Sequence, residues 1–357
     1  MKTYIKFLVR IYLNSLLYVL FIMSCLVIIL NVLSEIDFFK IYDVGTFLPI
    51  YIALLNSPSQ IFEMFPFIFL ISTQLFFVHL FNNNEIQIFK YSGLKNSKIL
   101  LIISFFTFFL GILIITIFYN ASSNLKNLYI KFKSKYTSEE KHLAVITKNG
   151  LWIKDIVDGK IKIINASKIE DKFLLNIFIT EYDEEYNVSR NIQSSRANIL
   201  KNEWIHYDVK IYENYEQKNL DLLKTKSNFD YQKIQNLFSN LSSLSIFKLF
   251  QLRQNYKELN YSTTEVDVQL LKIISYPIYF VLMTILSAII MFNTKTYKSN
   301  TLKIIIGLFF SVIVYYFFNF FYVMGNVEKI SLILAISLPL FILSIINSFL
   351  IYGINEK

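Results

Sequence analysis

Apolar residues in this chain gather in six long runs, three towards each end, and leave a polar stretch from about 122 to 268 between them. The runs cover approximately 11–33, 61–81, 99–119, 270–292, 303–323 and 331–353. A hydrocarbon core about 30 Å thick takes roughly 20 apolar residues per helix, because each backbone N–H and C=O has to be paired within its own segment. Every run reaches that length, so the pattern predicts six transmembrane helices. Pro66 and Pro277 fall inside the second and fourth and predict local kinks. The first run follows Lys2, Lys6 and Arg10 as a signal peptide would, but it is longer than a signal core of about 7–15 residues and has no small-residue cleavage site. It is expected to be a retained helix.

Between the two sets of runs the period changes. From about 143 to 226 short strands alternate with turn residues, and Asp158-Gly159 predicts a tight hairpin between arms Ile153–Ile156 and Lys160–Ile163. Trp204 to Tyr212 alternates, placing Ile205, Tyr207, Val209 and Ile211 on one face and His206, Asp208 and Lys210 on the other. Strands without intervening helices point to a sandwich or jelly roll. Over 231–258 the period turns helical, with Ser245 as N-cap and Ile246, Leu249, Phe250 and Tyr256 along one stripe. The organisation predicted is an α-helical integral membrane protein: helices 1–3 over 1–121, a β-rich, jelly-roll-like domain over 122–268 with its amphipathic helix, and helices 4–6 over 269–357.

Composition agrees with lipid as one of the two solvents, since 54% of the 357 residues are hydrophobic and only 17% charged, against about 25% in an ordinary globular protein. A net charge of +9 raises the question of nucleic acid, but the polar stretch 122–268 holds 22 Lys and Arg against 19 Asp and Glu and has no basic stripe. The excess lies beside the apolar runs. Lys2, Lys6, Arg10, Lys90, Lys95, Lys98, Lys295, Lys298, Lys303 and Lys357 fall on one side, and Lys40 and Lys329 on the other beside Glu35, Asp37, Asp43, Glu63 and Glu328. Short cytoplasmic loops collect Lys and Arg, so both termini are expected in the cytoplasm and the 122–268 domain in the periplasm of a Gram-negative cell.

The sequence excludes several chemistries. Cys25 is alone, which rules out an intrachain disulfide or a cysteine metal site, and it is expected to be a small core residue. His79, His142 and His206 are scattered, with no metal-ligand spacing, and no metal or cofactor is expected on this chain. No G-x-x-x-x-G-K-[ST] loop, H-E-x-x-H or G-x-S-x-G is present. The segment with most to say is Asn82–Leu94, which reads as a short helix between two spans: Asn84 as N-cap, Glu85 in the first turn, Gly93 as a left-handed stop. Ile86, Phe89 and Lys90 would share a face turned away from the bilayer, suited to a groove on a cytosolic protein.

The run Glu85 to Gly93 resembles the coupling helix of the LptF/LptG permeases of lipopolysaccharide export. Ser57-Pro58 with Phe65-Pro66-Phe67, Gly150-Leu151-Trp152-Ile153-Lys154-Asp155, Leu244-Ser245-Ile246 and Lys272-Ile273-Ile274-Ser275-Tyr276-Pro277 extend the resemblance over most of the chain, and the Gly150–Asp155 strand is similar to the LptG branch. The resemblance implies a non-catalytic transporter subunit that pairs with a second homologous six-helix permease over a cytosolic ABC ATPase dimer, where ATP is used. It also implies transfer of lipopolysaccharide to a periplasmic bridge protein, and a coupling role for Glu85, Ile86, Phe89, Lys90 and Gly93. A phosphorylated headgroup at the outer membrane edge wants cations, for which Lys40, Lys126, Lys131 and Lys133 are the candidates. The chain departs from the family at Asn31–Asp37, where a basic residue is often found, and near Ser122-Ser123, where a proline is replaced.

Two other classes remain open on the sequence. One is a membrane enzyme acting on lipid-linked sugars through Glu35, Asp37 or Glu63, although these fall at helix ends where water is expected to reach them. The other is an envelope scaffold that joins partners through its sheet edge.

Overall fold

The computed structural model describes the chain except residues 1–2, 43, 46, 137–150, 158–159, 171, 184–185, 214–215, 232–233, 235–239, 259–261, 295–298, 353 and 355–357. Lys2, Asp43, His142, Gly150, Asp158, Gly159, Lys295, Lys298 and Lys357 thus lie outside the described residues. Six helices among the rest are long and apolar enough to cross a membrane. They are α1 (Thr3–Phe39), α2 (Phe47–Asn82), a third span, α7 (Thr264–Asn293), α8 (Asn300–Asn326) and α9 (Leu332–Ile351). Between α2 and the third span lies the short α3 (Glu85–Tyr91). The third span runs as α4 (Asn96–Leu113), one π-helical stretch (Ile114–Tyr119) and α5 (Asn120–Ser134). The chain divides into two compact units, one of Met1–Tyr129, Ser242–Ile246 and Thr264–Lys357, the other of Ile130–Leu241 and Phe247–Thr263.

In the helical unit α2 and α7 form the centre, since 67% and 72% of their most apolar stretches are buried against 22% for α1 and 11% for α8. An aromatic ladder joins the pair: Phe62 on Tyr276, Phe69 on Phe280 and Phe77 on Phe292, with ring centroids 5.1, 4.8 and 5.1 Å apart. Lipid tails are as apolar as leucine, so close packing and hydrogen bonds between helices carry the association. Gly111 brings α4 against Pro277 of α7, where a Cβ would lie 2.9 Å from the proline Cα. Tyr12, fully buried on α1, sets its hydroxyl 3.0, 3.4 and 3.5 Å from those of Thr107, Thr73 and Thr284, so one phenol touches three other helices. Gln74 donates to the carbonyl of Lys303 at 2.9 Å and fills the space beside Gly307, which joins α2 to α8.

Several expectations change here. Helix α2 starts at Phe47, not near 61, so Pro58 lies inside it and not at its entry. Helix α5 continues to Ser134, past residue 121. Glu35 is buried at 2% exposure and accepts the Tyr129 hydroxyl at 3.0 Å, because α1 runs on to Phe39 and carries the carboxylate inwards. Cys25 is exposed on α1, not in the core.

The second unit holds six antiparallel strands in sequential order: β1 (Leu151–Val157), β2 (Lys160–Glu170), β3 (Phe173–Tyr182), β4 (Val188–Asn198), β5 (Glu203–Glu213) and β6 (Glu216–Lys226). Val157 pairs with Lys160 in the expected hairpin register. Burial alternates with the strand period of two but changes phase along one row. Ser167, Asn176, Ser195 and Asp208 form that row; Asn176 and Asp208 have φ of 48° and 53°. Asn176 donates to Ser167 at 3.2 Å and Ser195 to Asp208 at 2.7 Å. On β5 the buried residues are Trp204 and His206 before the row and Val209 and Ile211 after it. His206 is therefore inside, not on the solvent face with Asp208 and Lys210, because the left-handed Asp208 reverses the alternation. The chain beyond β6 returns to β1, where Asp155 accepts Ser227 Oγ at 2.7 Å and Asn228 N at 3.1 Å. Of the helix expected over 231–258, α6 covers Ile246–Glu258, with Leu249 and Leu252 buried and Phe250 exposed.

Candidate functional site

Two places in the helical unit concentrate polar and exposed groups that the packing does not consume. The first is the elbow between α2 and α4. Helix α3 ends in a Schellman motif: Leu94 N donates to Phe89 O at 2.9 Å and Gly93 N to Lys90 O at 3.0 Å, with Gly93 at φ 78°. That φ suits glycine because an L side chain there would crowd its own backbone. At the other end Asn84 takes φ 54° and makes no side-chain cap; its carbonyl accepts Gln87 N and Ile88 N at 3.0 and 3.2 Å. Glu85 stands 3.9 Å from His79 Nε2, and its Oε2 is buried without a hydrogen-bond partner among the described residues.

The faces of α3 differ from the expected ones. Ile86 is 2% exposed and anchors the helix, and Phe89 meets Phe7 of α1 edge-on at 6.2 Å between centroids. Ile88 and Tyr91, which the sequence reading passed over, are 59% and 89% exposed. In a helix of seven residues the apolar side that packs is the one the neighbouring spans reach, and here it includes Ile86.

The second place is a cavity of mixed lining among α2, α7, α8 and α9. It measures about 60 Å³, and Glu63, Lys272, Tyr276, Tyr279, Tyr315, Asn319 and Tyr322 are among its walls. That is room for several waters at about 10–15 Å³ each. Lys272 Nζ lies 4.5 Å from the centre of the Tyr322 ring, whose hydroxyl donates to Gln269 Oε1 at 3.0 Å. The Tyr279 hydroxyl is buried without a hydrogen-bond partner among the described residues. A smaller hollow beside it shares Glu63, Lys272 and Tyr276 and adds Tyr119, Ser122, Ser242 and Gln269. The π-helical stretch positions that wall: Tyr119 donates to Leu244 O at 3.0 Å, and Asn120 Oδ1 accepts Ile246 N at 3.1 Å, fixing the returning segment. Glu63 lies 19 residues before the end of α2, about 28 Å along its axis at 1.5 Å per residue. The cavity thus lies nearly one hydrocarbon thickness, about 30 Å, from the α3 end of the helix.

Of the four lysines singled out, Lys126 comes near enough to feel the charges of Glu63 and Lys272, although it is not among the walls of the cavity or of the hollow beside it. Lys40 is exposed just beyond α1, and Lys131 and Lys133 belong to the other unit. Lys272 and Gln269 were missed as site residues. The available signal, for Lys272 alone, was an ionisable side chain five residues before Pro277 within an apolar run, which is costly in lipid and therefore informative.

Six spans with a sheet inserted between the third and fourth, an anchored elbow between the second and third and a cavity walled by Glu63, Lys272 and tyrosines define a multi-pass membrane protein. The sequence model of the lipopolysaccharide export system permease LptF/LptG matches residues 6–353, nearly the whole chain, and the chain belongs to that family. Its general role is therefore that of a permease of lipopolysaccharide export in the bacterial inner membrane. No curated protein matches the sequence.

Proposed function

We propose that this chain is the LptG-branch permease of an ATP-driven exporter that takes lipopolysaccharide from the outer leaflet of the inner membrane and passes it to a periplasmic bridge protein. It works beside a second six-helix permease over a cytosolic ABC ATPase dimer, which binds and hydrolyses the ATP. Both termini lie in the cytoplasm and the sheet domain in the periplasm, in keeping with the lysines and arginines gathered at the α3 end.

The observation that carries this reading is the build of α3. Its inner face is anchored by Ile86 and its C-terminus closed by Gly93, so a displacement applied to the exposed Ile88 and Tyr91 passes to α2 and α4 without being absorbed in the loop. Glu85, Phe89 and Lys90 complete the coupling element. At the opposite end Lys126 and Lys272, with the tyrosine hydroxyls, supply cationic and hydrogen-bonding partners for an anionic headgroup, and Lys40, Lys131 and Lys133 are further candidates for such contacts.

Purification in mild detergent from the native membrane, followed by mass spectrometry of bound proteins and lipids, tests the assembly. Recovery of a Walker-motif ATPase, a second permease and lipopolysaccharide is the expected result. A chain recovered alone would favour an enzyme on lipid-linked sugars, and one recovered with periplasmic proteins only would favour a scaffold.

A further inference from the structure

The sheet domain carries a pocket that the exporter reading leaves unused. It opens where the hairpin end of β1 and β2, the end of β3, the start of β4 and the end of β6 converge, and measures about 250 Å³. Its walls are Val157, Lys160, Lys162, Glu181, Arg190, Lys224, Thr225 and Lys226, so five cations surround one carboxylate. Strands two and six are four places apart in the sheet, yet Lys162 Nζ reaches the Lys226 carbonyl at 3.3 Å. The curl of the sheet therefore creates the pocket, and no single strand does.

Glu181 organises it. The carboxylate is 2% exposed and accepts Arg190 Nε at 2.6 Å and Nη2 at 3.2 Å, while Lys162 Nζ stands 3.2 Å away. A guanidinium has five N–H donors and an ammonium three. Two of the five are spent on Glu181, and one of the three on Glu181 and one on Lys226 O. The remaining donors belong to side chains that line the pocket and are already fixed in place. Lys160 is exposed at the rim and makes no ion pair among the described residues, and Lys224 is held loosely by Glu203 at 3.5 Å with both side chains more than half exposed. A preorganised fork of donors with an excess of positive charge matches phosphate, for which arginine gives directed hydrogen bonds and lysine a point charge. The volume lies below the roughly 300–1,000 Å³ of sites that enclose a whole drug-sized ligand. It fits a charged group on a larger molecule.

We infer that this pocket binds a phosphate group, with Arg190 and Lys162 as the fixed donors and Lys160 and Lys224 as the rim. The inference rests on the exporter reading only for the source of the phosphate, which would then be the headgroup of the transported glycolipid.

The test uses the full-length protein in a phosphate-free detergent, with a phosphorylated glycolipid, its dephosphorylated counterpart and inorganic phosphate as separate probes. Wild type is expected to hold the phosphorylated glycolipid at least tenfold more tightly than the dephosphorylated one. In a background carrying Lys126→Gln and Lys272→Gln, which removes the cations of the helical cavity, Lys160→Gln combined with Lys224→Gln, both at exposed positions, is expected to abolish the preference with tryptophan fluorescence unchanged, and Arg190→Gln to do so as well. Competition by inorganic phosphate below millimolar concentration identifies free phosphate as a sufficient ligand, and its absence identifies the lipid headgroup; either upholds the pocket. A phosphate preference that survives the double variant, or no preference in wild type, overturns it. If the chain still recovers its ATPase and second permease in that case, the exporter reading stands and only the pocket falls.

Discussion

The carboxylate of Asp155 on β1 accepts the hydroxyl of Ser227 at 2.7 Å, which ties the first strand of the sheet to the segment that follows the last. The same carboxylate takes Asn228 N at 3.1 Å and Asn228 Nδ2 at 2.9 Å, and Asp155 is fully buried. No ladder joins β1 to β6 among the described residues, so this clasp closes the curl. Hydrogen bonds to a charged group are worth roughly 1.5–3 kcal/mol each, and stripping their acceptor leaves buried donors unpaired. Asp155→Ala is expected to lower the stability of the sheet domain by about 3 kcal/mol. Both tryptophans, Trp152 and Trp204, lie in this domain, so their fluorescence during denaturant unfolding measures it without interference from the helices.

Acid should loosen the same domain. Burial, with the charge of Lys162, pushes His206 down from its ordinary 6.5 to about 4, and its ring nitrogens lie 3.0 and 2.9 Å from Ser194 and Thr225. The unfolded chain therefore takes up a proton below 6.5 that the folded chain refuses until about 4, and stability falls as pH drops through that window. At about 1.4 kcal/mol per unit the loss approaches 3 kcal/mol by pH 4. Burial would raise Glu181, but the Arg190 hydrogen bonds and Lys162 outweigh it and hold it below 4.5. Its contribution is complete above 4.5 and is lost as pH falls through the lower folded value. His206→Gln should flatten the fall in unfolding midpoint between pH 6.5 and 4.5 while leaving the steeper decline below it.

At the elbow, Tyr91→Ala and Ile88→Asp are expected to reduce the ATPase recovered with the chain at least tenfold without changing its amount in the membrane, because neither side chain is packed. Glu85→Ala should weaken recovery and export while leaving insertion intact. Unchanged export in cells that depend on the variant would remove Glu85 from coupling. Ile86→Ala should act differently, lowering the thermal midpoint of the purified protein, since it leaves a hole under α3.

Two glycines should differ sharply. Gly111→Ala sets a methyl 2.9 Å from the backbone of Pro277, which cannot yield unless α4 and α7 separate, so membrane accumulation should fall several-fold. Gly307→Ala meets the end of the Gln74 side chain, which can turn away at the cost of its bond to the Lys303 carbonyl. About 1 kcal/mol is expected there, read as a small shift in thermal midpoint with normal accumulation.

The six spans were legible because twenty apolar residues in a row have few other uses, and the β1–β2 hairpin because Asp-Gly and its alternating arms agree. The start of α2 was not, since Ser57-Pro58 reads as a break in water and as an ordinary interior position in a membrane helix. Glu35 read as a solvated helix end, and only the extension of α1 and the approach of Tyr129 make it a buried one. The cavity escaped for a related reason. Lys126 stood out as a cation near a span, but its association with Glu63 and Lys272 depends on how α2, α5 and α7 are juxtaposed, and no spacing along the chain encodes that. Ile86 and Ile88 are two residues apart on one short helix with similar side chains, and which of them packs is decided by neighbours distant in sequence.

The row of Ser167, Asn176, Ser195 and Asp208 makes a fold line in the sheet. On either side of it the same strands turn opposite parities inwards, so each of β2 to β5 contributes to two walls set at an angle. Corners of this kind allow β layers to enclose a core, and here a single meander encloses one by bending. The hollow that receives His206, and the Ser194 hydroxyl that crosses the line to meet it, are the inside of that bend. The strand pairing skips the residues on the line, and their side chains bond there instead: Asn176 to Ser167, Ser195 to Asp208, and Ser167 and Ser195 to the carbonyls of Leu175 and Tyr207.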